Sequence, residues 1–137
     1  MNNIDTQSTR PNTSSPRGEG RLGHHDTFPH EGLNAHRALR EAYAMVAAWK
    51  ISGSRGTLGD QLDRALSGSL LQYTEGYYAD DGNRACHFRR ARASAGEAAC
   101  AIDLLLLKRL VGAADAQAAR ARLAEAMRIL SRLIRPA

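Results

Sequence analysis

The sequence predicts an all-α protein, an antiparallel up-down four-helix bundle with a disordered N-terminal tail. Three observations carry that expectation. Much of the apolar content is alanine while aromatic residues make up only 5% of the chain, a composition that suits closely packed helices and excludes a β-sandwich or barrel. From Leu33 onward apolar residues recur at spacings of three and four, which places them on one face of a helix. Four such segments follow one another with short turns between them, and short connections set successive helices side by side. A chain of 137 residues has room for one such core and not for two.

Residues 1–32 are rich in Asn, Thr, Ser, Pro and Gly, and Pro11, Pro16 and Pro29 interrupt any helical pattern. The segment lacks the apolar content to fold by itself and is expected to be a disordered polar tail. Residues 33–137 are expected to form the bundle. The first helix, about 34–52, repeats through Ala35, Leu39, Ala42, Val46 and Trp49 and is expected to end in the turn Gly53-Ser54-Arg55-Gly56, glycine being suited to helix termination. The second, about 58–79, runs through Leu58, Leu62, Leu66, Leu70, Tyr73 and Tyr77. Thr57 followed three residues later by Asp60 has the spacing of an N-terminal capping pair.

The third helix, about 84–111, carries Phe88, Ala91, Ala95, Ala99, Ile102, Leu106 and Leu110, with Gly112 as its terminator. The fourth, about 115–135, starts from an Asp115 cap and runs through Ala119, Leu123, Met127, Leu130 and Ile134 up to Pro136. Small residues on the third helix, Ala91, Ala95, Ala98 and Ala99, permit close helix approach. The run Leu104-Leu105-Leu106-Leu107 is apolar on more faces than a monomeric bundle requires, so part of it is expected to be covered by another subunit.

Several function classes find no support. No apolar run approaches the roughly 18–20 residues that span a bilayer, and the N-terminus is polar where a signal peptide needs an apolar core, so a soluble, cytoplasmic protein with no membrane partner is expected. Cys86 and Cys100 lie on one helix, about 21 Å apart at about 1.5 Å per residue, beyond the roughly 7 Å that a disulfide tolerates. They are expected to be reduced packing residues. His24, His25 and His30 fall in the tail with Asp26, and His87 among arginines, none at metal-ligand spacing. Ser67-Gly68-Ser69 lies inside a helix and lacks the surroundings of a nucleophile elbow, and Ser52–Thr57 follows a helix and has no G-K-[ST] ending. Glu75, Asp80 and Asp81 read as capping and solubility. Neither catalysis nor a cofactor or metal is expected.

The basic residues say more. The chain has a formal net charge of +5, with 17 Arg and two Lys, Lys50 and Lys108. The tail nets −1, so residues 33–137 hold +6. Arg84, Arg89, Arg90 and Arg92 crowd the start of the third helix, while Arg128, Arg132 and Arg135 share one face of the fourth. Guanidinium groups fit phosphate oxygens, and clustered positive charge releases counterions from nucleic acid. A solvated face with acid-paired arginines is the alternative. No aromatic residues alternate with the arginines, so contact with RNA or DNA is expected at the phosphate backbone and not at the bases.

The stretch Leu58-Gly59-Asp60-Gln61-Leu62-Asp63-Arg64-Ala65, then Glu75-Gly76, then Ala91-Arg92-Ala93-Ser94-Ala95-Gly96-Glu97 resembles a bacterial four-helix-bundle protein family. That family includes proteins encoded in intervening sequences of 23S rRNA genes and accessory variability determinants of diversity-generating retroelements. The likeness spans roughly residues 33–135. Gln61, Leu62, Arg64, Ala65, Glu75, Gly76, Ala91, Arg92, Ser94 and Glu97 match its pattern. Asp63 stands for an arginine, Gly68-Ser69-Leu70 for an S-I-P triplet, Gln72 for an asparagine and Ala93 for a glycine; the missing proline predicts a straighter second helix. On physical grounds Glu75 and Arg92 have opposite sign on adjacent helices, and Gln61, Ser94 and Glu97 are placed to hydrogen-bond between helices and fix the bundle's register.

The resemblance implies a homo-oligomer, a five-fold ring of bundles with a basic surface, and in retroelements a partnership with the reverse transcriptase and its template RNA. Two function classes follow: a non-enzymatic oligomeric nucleic-acid-binding accessory protein, or an oligomeric protein-interaction scaffold whose arginines serve solubility.

Overall fold

The computed structural model describes residues 28–51 and 57–134. Most of the predicted tail, with His24 and His25, the turn Gly53–Gly56 and Arg135 lie outside the described residues. Residues 28–31 open a short 3-10 helix, Pro29–Gly32, in which the Glu31 N–H donates to the Phe28 carbonyl at 3.0 Å and the Phe28 and His30 rings stack 6.0 Å apart.

Four α-helices follow: α1 Asn34–Ala48, α2 Leu58–Tyr78, α3 Asp81–Leu107 and α4 Ala113–Ile134. There is no strand among the described residues. Each helix packs on its two neighbours in cyclic order, α1 on α2, α2 on α3, α3 on α4 and α4 back on α1. Contacts between named residues fix the directions. Tyr43 meets Asp63 while His36 meets Tyr73, so numbers fall along α2 as they rise along α1. The same reversal runs from Arg92–Ser131 to Asp103–Arg120 across α3 and α4, and from Arg37–Glu125 to Glu41–Arg122 across α1 and α4. The bundle is antiparallel and up-down.

Of the 20 buried hydrophobic residues among those described, 11 are alanine, so backbones approach closely and large side chains are concentrated at a few levels. Leu39, Leu62, Leu66, Ile102, Leu105, Leu123 and Leu130 fill most of the remaining space. The predicted stripes on α1 and α2 enter the core as far as Tyr73, with Val46, Trp49, Leu58 and Leu70 partly buried at its margin, while Tyr77, expected on the α2 stripe, is not part of the core. On α3 the buried set is broader than the three-four stripe. Ala98, Ala101 and Leu105 are buried where Ala99 and Leu106 were expected, because an alanine-rich helix offers apolar surface on several faces and neighbouring helices select among them.

Helix ends show where local chemistry decides and where it does not. The Thr57 hydroxyl accepts the Asp60 N–H at 3.2 Å, the expected cap of α2. By contrast α1 stops at Ala48, four residues early, with Lys50 at φ 55°. Helix α3 starts at Asp81, three residues early, and ends at Leu107 and not at Gly112. Its terminator is Arg109 at φ 61°, with the Arg109 N–H bonded to the Leu106 carbonyl and the Leu110 N–H to the Leu105 carbonyl, both at 2.9 Å. That is a Schellman closure built on arginine where glycine is the usual residue. Asp115 lies in the first turn of α4, two residues inside its start, and favours the helix dipole from there.

Replacing Arg109 by Gly removes the steric cost of a left-handed L-residue, and even after glycine's entropic penalty the bundle is expected to gain about 0.5–1 kcal/mol. Urea unfolding with an unchanged m-value checks it.

Candidate functional site

The arginines divide into two sets according to what they touch. Arg37 and Arg122 alternate with Glu41 and Glu125 in a closed ring of four ion pairs, 3.3–3.4 Å each, that ties α1 to α4. Arg120 pairs with Asp103 at 3.2 Å between α4 and α3, and Arg64 with Asp60 one turn earlier on α2 at 3.5 Å. These groups are partly exposed, and each such pair contributes a few tenths of a kcal/mol, up to about 1. They are charges already neutralised.

Arg89, Arg90, Arg128 and Arg132 belong to the other set. All four are exposed, and none meets an acidic side chain among the described residues. Arg92, three residues and one turn beyond Arg89, also has no acidic partner among them and donates from Nη1 to the Ser131 hydroxyl of α4 at 3.0 Å. Gly96 lies one turn further, where a Cβ would stand 3.5 Å from Met127 Cε, so α3 and α4 lie close together here. Arg128 and Arg132 flank Ser131 and, with Met127, line a shallow notch. The α3–α4 edge therefore presents four guanidinium groups, Arg92, Arg128 and Arg132 with Arg89 one turn before Arg92, and Arg90 is exposed next to Arg89.

Two members of the predicted basic cluster stand apart. Arg84 donates from Nη2 to the carbonyls of Tyr77 and Ala79, at 3.3 and 3.5 Å, and so satisfies the C-terminal end of α2. Arg135 lies outside the described residues.

The motif residues on α2 and α3 do not converge on one site. Glu75 and Arg92 do not pair: Arg92 lies on the α4 flank of α3, and Glu75 lies 3.4 Å from His87 Nδ1 on the α2 flank. His87 Nδ1 is also 2.9 Å from Gln72 Oε1, so this half-buried histidine bridges two side chains of α2. Gln61 and Glu97 are exposed, and Ser94 lies half-buried opposite Gly68, 3.8 Å from where a Cβ would stand; the expected polar network through these three does not form.

The interhelical polar contacts come from residues the sequence pattern passed over. Ser69, fully buried on α2, donates to the Ala91 carbonyl of α3 at 2.8 Å. Tyr43 donates to Asp63 at 2.6 Å and joins α1 to α2; that hydrogen bond first, then burial and the carboxylate's charge, raises the Tyr43 phenol above its ordinary value. Burial, then the neighbouring Tyr77, pushes the Tyr73 phenol up to about 12. Both phenols are protonated at neutral pH.

Cys86 and Cys100 are free thiols on α3, exposed where packing positions were expected. Among the described residues no three His, Cys, Asp or Glu side chains stand together so as to hold a metal ion, and no helix is long and apolar enough to cross a membrane.

The bundle has a solved counterpart. A protein of unknown function from the S23 ribosomal protein family of Bacteroides thetaiotaomicron superimposes with a TM-score of 0.67, covering 76% of this chain and 100% of that one. Sequence identity is 15%, so the likeness is one of fold. No protein-family model and no curated protein sequence matches the chain.

Proposed function

We propose that the protein is a non-catalytic, oligomeric nucleic-acid-binding accessory protein of the four-helix-bundle family that its α2 and α3 motifs resemble. The observation that supports the reading is the division of the arginines. Where this protein needs ion pairs for structure it makes them, on α1–α4 and at Arg120 and Arg64, while the α3–α4 edge keeps a group of guanidiniums that have no carboxylate partner among the described residues. Unpaired clustered arginines are suited to phosphates, whose counterions they displace. The solved S23 counterpart supports the fold to which the resemblance points. A template RNA handled by a retroelement reverse transcriptase is the setting that the resemblance implies.

Self-association belongs to the same proposal. Leu104 is 42% exposed, Leu107 77% and Leu110 56%, three large apolar side chains at the C-terminal end of α3 and just beyond it. The same leucines favour the second reading, a protein-interaction scaffold without direct nucleic-acid contact.

The test is affinity for single-stranded RNA and for duplex DNA over a series of salt concentrations, with the oligomeric state measured in the same buffers. If four guanidiniums each neutralise one phosphate, log affinity for single-stranded RNA falls against log salt with a slope of about −3. No binding at roughly 50 mM salt, from a folded oligomer, would overturn the proposal in favour of the scaffold.

A further inference from the structure

Beside the α4 notch lies a feature that a diffuse basic surface does not need: an arginine of α3, Arg92, fixed in place by a neutral side chain, Ser131, that lines the notch. Arg92 is half-buried, and its Nη1 donates to Ser131 Oγ at 3.0 Å across the helix interface. A guanidinium has five N–H donors, so this bond leaves most of them available while it restricts the side chain's rotamers. No carboxylate among the described residues neutralises Arg92, and Arg128 and Arg132 of α4 line the same notch as Ser131.

We infer that the notch is a phosphoryl-anchoring subsite. At its α3 side Arg92 is the preorganised donor, Ser131 is the notch residue that positions it, and Arg128 and Arg132 close on the same oxyanion from α4. The inference rests on the reading of the α3–α4 edge as a phosphate-binding surface, and deepens it by naming the point at which that surface is rigid.

Two physical arguments support this. Ordering a long side chain on binding costs on the order of 0.5–1.5 kcal/mol, and the Ser131 bond meets that cost for Arg92 before the ligand arrives. The bond also leaves the charge intact, whereas a carboxylate in Ser131's place would cancel it. The C-terminal end of α4 carries roughly half a negative charge, which three guanidiniums outweigh. Met127 over Gly96 gives the notch an apolar side that lowers the exposure of the bound oxyanion to water.

The ligand chemistry is a phosphoryl oxyanion, which a nucleic-acid backbone or free phosphate can each supply, and the experiment separates these sources. Full-length wild type, Ser131→Ala, Ser131→Thr and Arg92→Gln are titrated with a twelve-nucleotide oligouridylate across a salt series, and their melting temperatures are measured with and without inorganic phosphate. Ser131→Ala changes no charge. It is expected to weaken oligouridylate binding about threefold to tenfold with the salt slope unchanged, whereas Ser131→Thr keeps the hydroxyl and the affinity. Arg92→Gln is expected to reduce the slope by about 0.7, the loss of one single-strand phosphate contact.

If wild type binds the oligonucleotide with a steep salt slope and Ser131→Ala binds equally well, the subsite is overturned and the general reading of the edge stands. If wild type binds no oligonucleotide but phosphate raises its melting temperature and fails to raise that of Ser131→Ala, the nucleic-acid reading falls and the subsite stands with free phosphate as its ligand. Phosphate protection that does not depend on Ser131, without oligonucleotide binding, overturns both.

Discussion

Replacing Phe88 by Ala is expected to destabilise the bundle by about 3–5 kcal/mol, the range for a large aromatic truncated in a core that cannot collapse around the void. Phe88 is 3% exposed and stacks on Tyr73 at 5.5 Å, which in turn lies 6.3 Å from the His36 ring. It is the only large aromatic that α3 contributes to a core made mostly of alanine. Its ring fits because α2 carries Gly76 opposite. A Cβ there would stand 2.7 and 2.8 Å from Phe88 Cε1 and Cδ1, and 3.0 Å from His87 Cβ. Gly76→Ala is therefore expected to cost about 1–3 kcal/mol of overpacking, offset by about 1 kcal/mol of helix propensity.

The two substitutions must couple. With Phe88 already reduced to Ala, the cost of Gly76→Ala is expected to fall to near zero, because the ring clash is gone and the propensity gain is set only against the 3.0 Å approach to His87 Cβ. A double-mutant cycle by urea unfolding measures this, and additive effects would show that Gly76 is not held by Phe88. Gly96 gives the contrast: its Cβ would meet Met127 at an ordinary van der Waals distance, so close helix approach there does not demand glycine.

How much of this was legible depends on whether a signal was local. The four helices, their order and the Thr57–Asp60 cap follow from short-range patterns, and the structure has them. The ends of α1 and α3 were not legible, because Lys50 and Arg109 enter left-handed conformations that no residue-type rule assigns to lysine or arginine. The buried face of α3 was blurred for a different reason. With Ala91, Ala95, Ala98, Ala99 and Ala101 on one helix, several stripes were equally apolar, and packing chose among them.

At the candidate site the arginine clusters were visible as clusters, but which arginines were already paired was not. One signal was available. Arg37–Glu41 at i,i+4 and Arg122–Glu125 at i,i+3 each mark a helix edge of alternating charge, and placing α1 beside α4 joins them into the four-membered ring. Opposite sign on adjacent helices was too weak a criterion for Glu75 and Arg92, because it ignores which flank of α3 each one faces. Ser131 had no sequence signal at all, since its role depends on the α3–α4 register that sets it against Arg92.

The largest expected effect on binding follows from the same register. Reversing both Arg128 and Arg132 to Glu changes the charge by two units at each position, taking the formal net charge from +5 to +1. On the proposed reading it removes two phosphate contacts and sets two carboxylates against a strand held by the remaining arginines. Affinity for single-stranded RNA near physiological salt is expected to fall about a hundredfold, and the salt slope to shrink by about 1.4. Folding is expected to change little, because both side chains are exposed and meet no acidic side chain among the described residues. The informative control carries the same charge change elsewhere: Arg40→Glu with Arg64→Glu, on α1 and α2, also gives +1 but leaves the α3–α4 edge intact. If binding depends only on net charge, the two double variants lose affinity equally. If the edge is the site, the control keeps most of its affinity and nearly all of its slope, and filter binding over four or five salt concentrations distinguishes these outcomes.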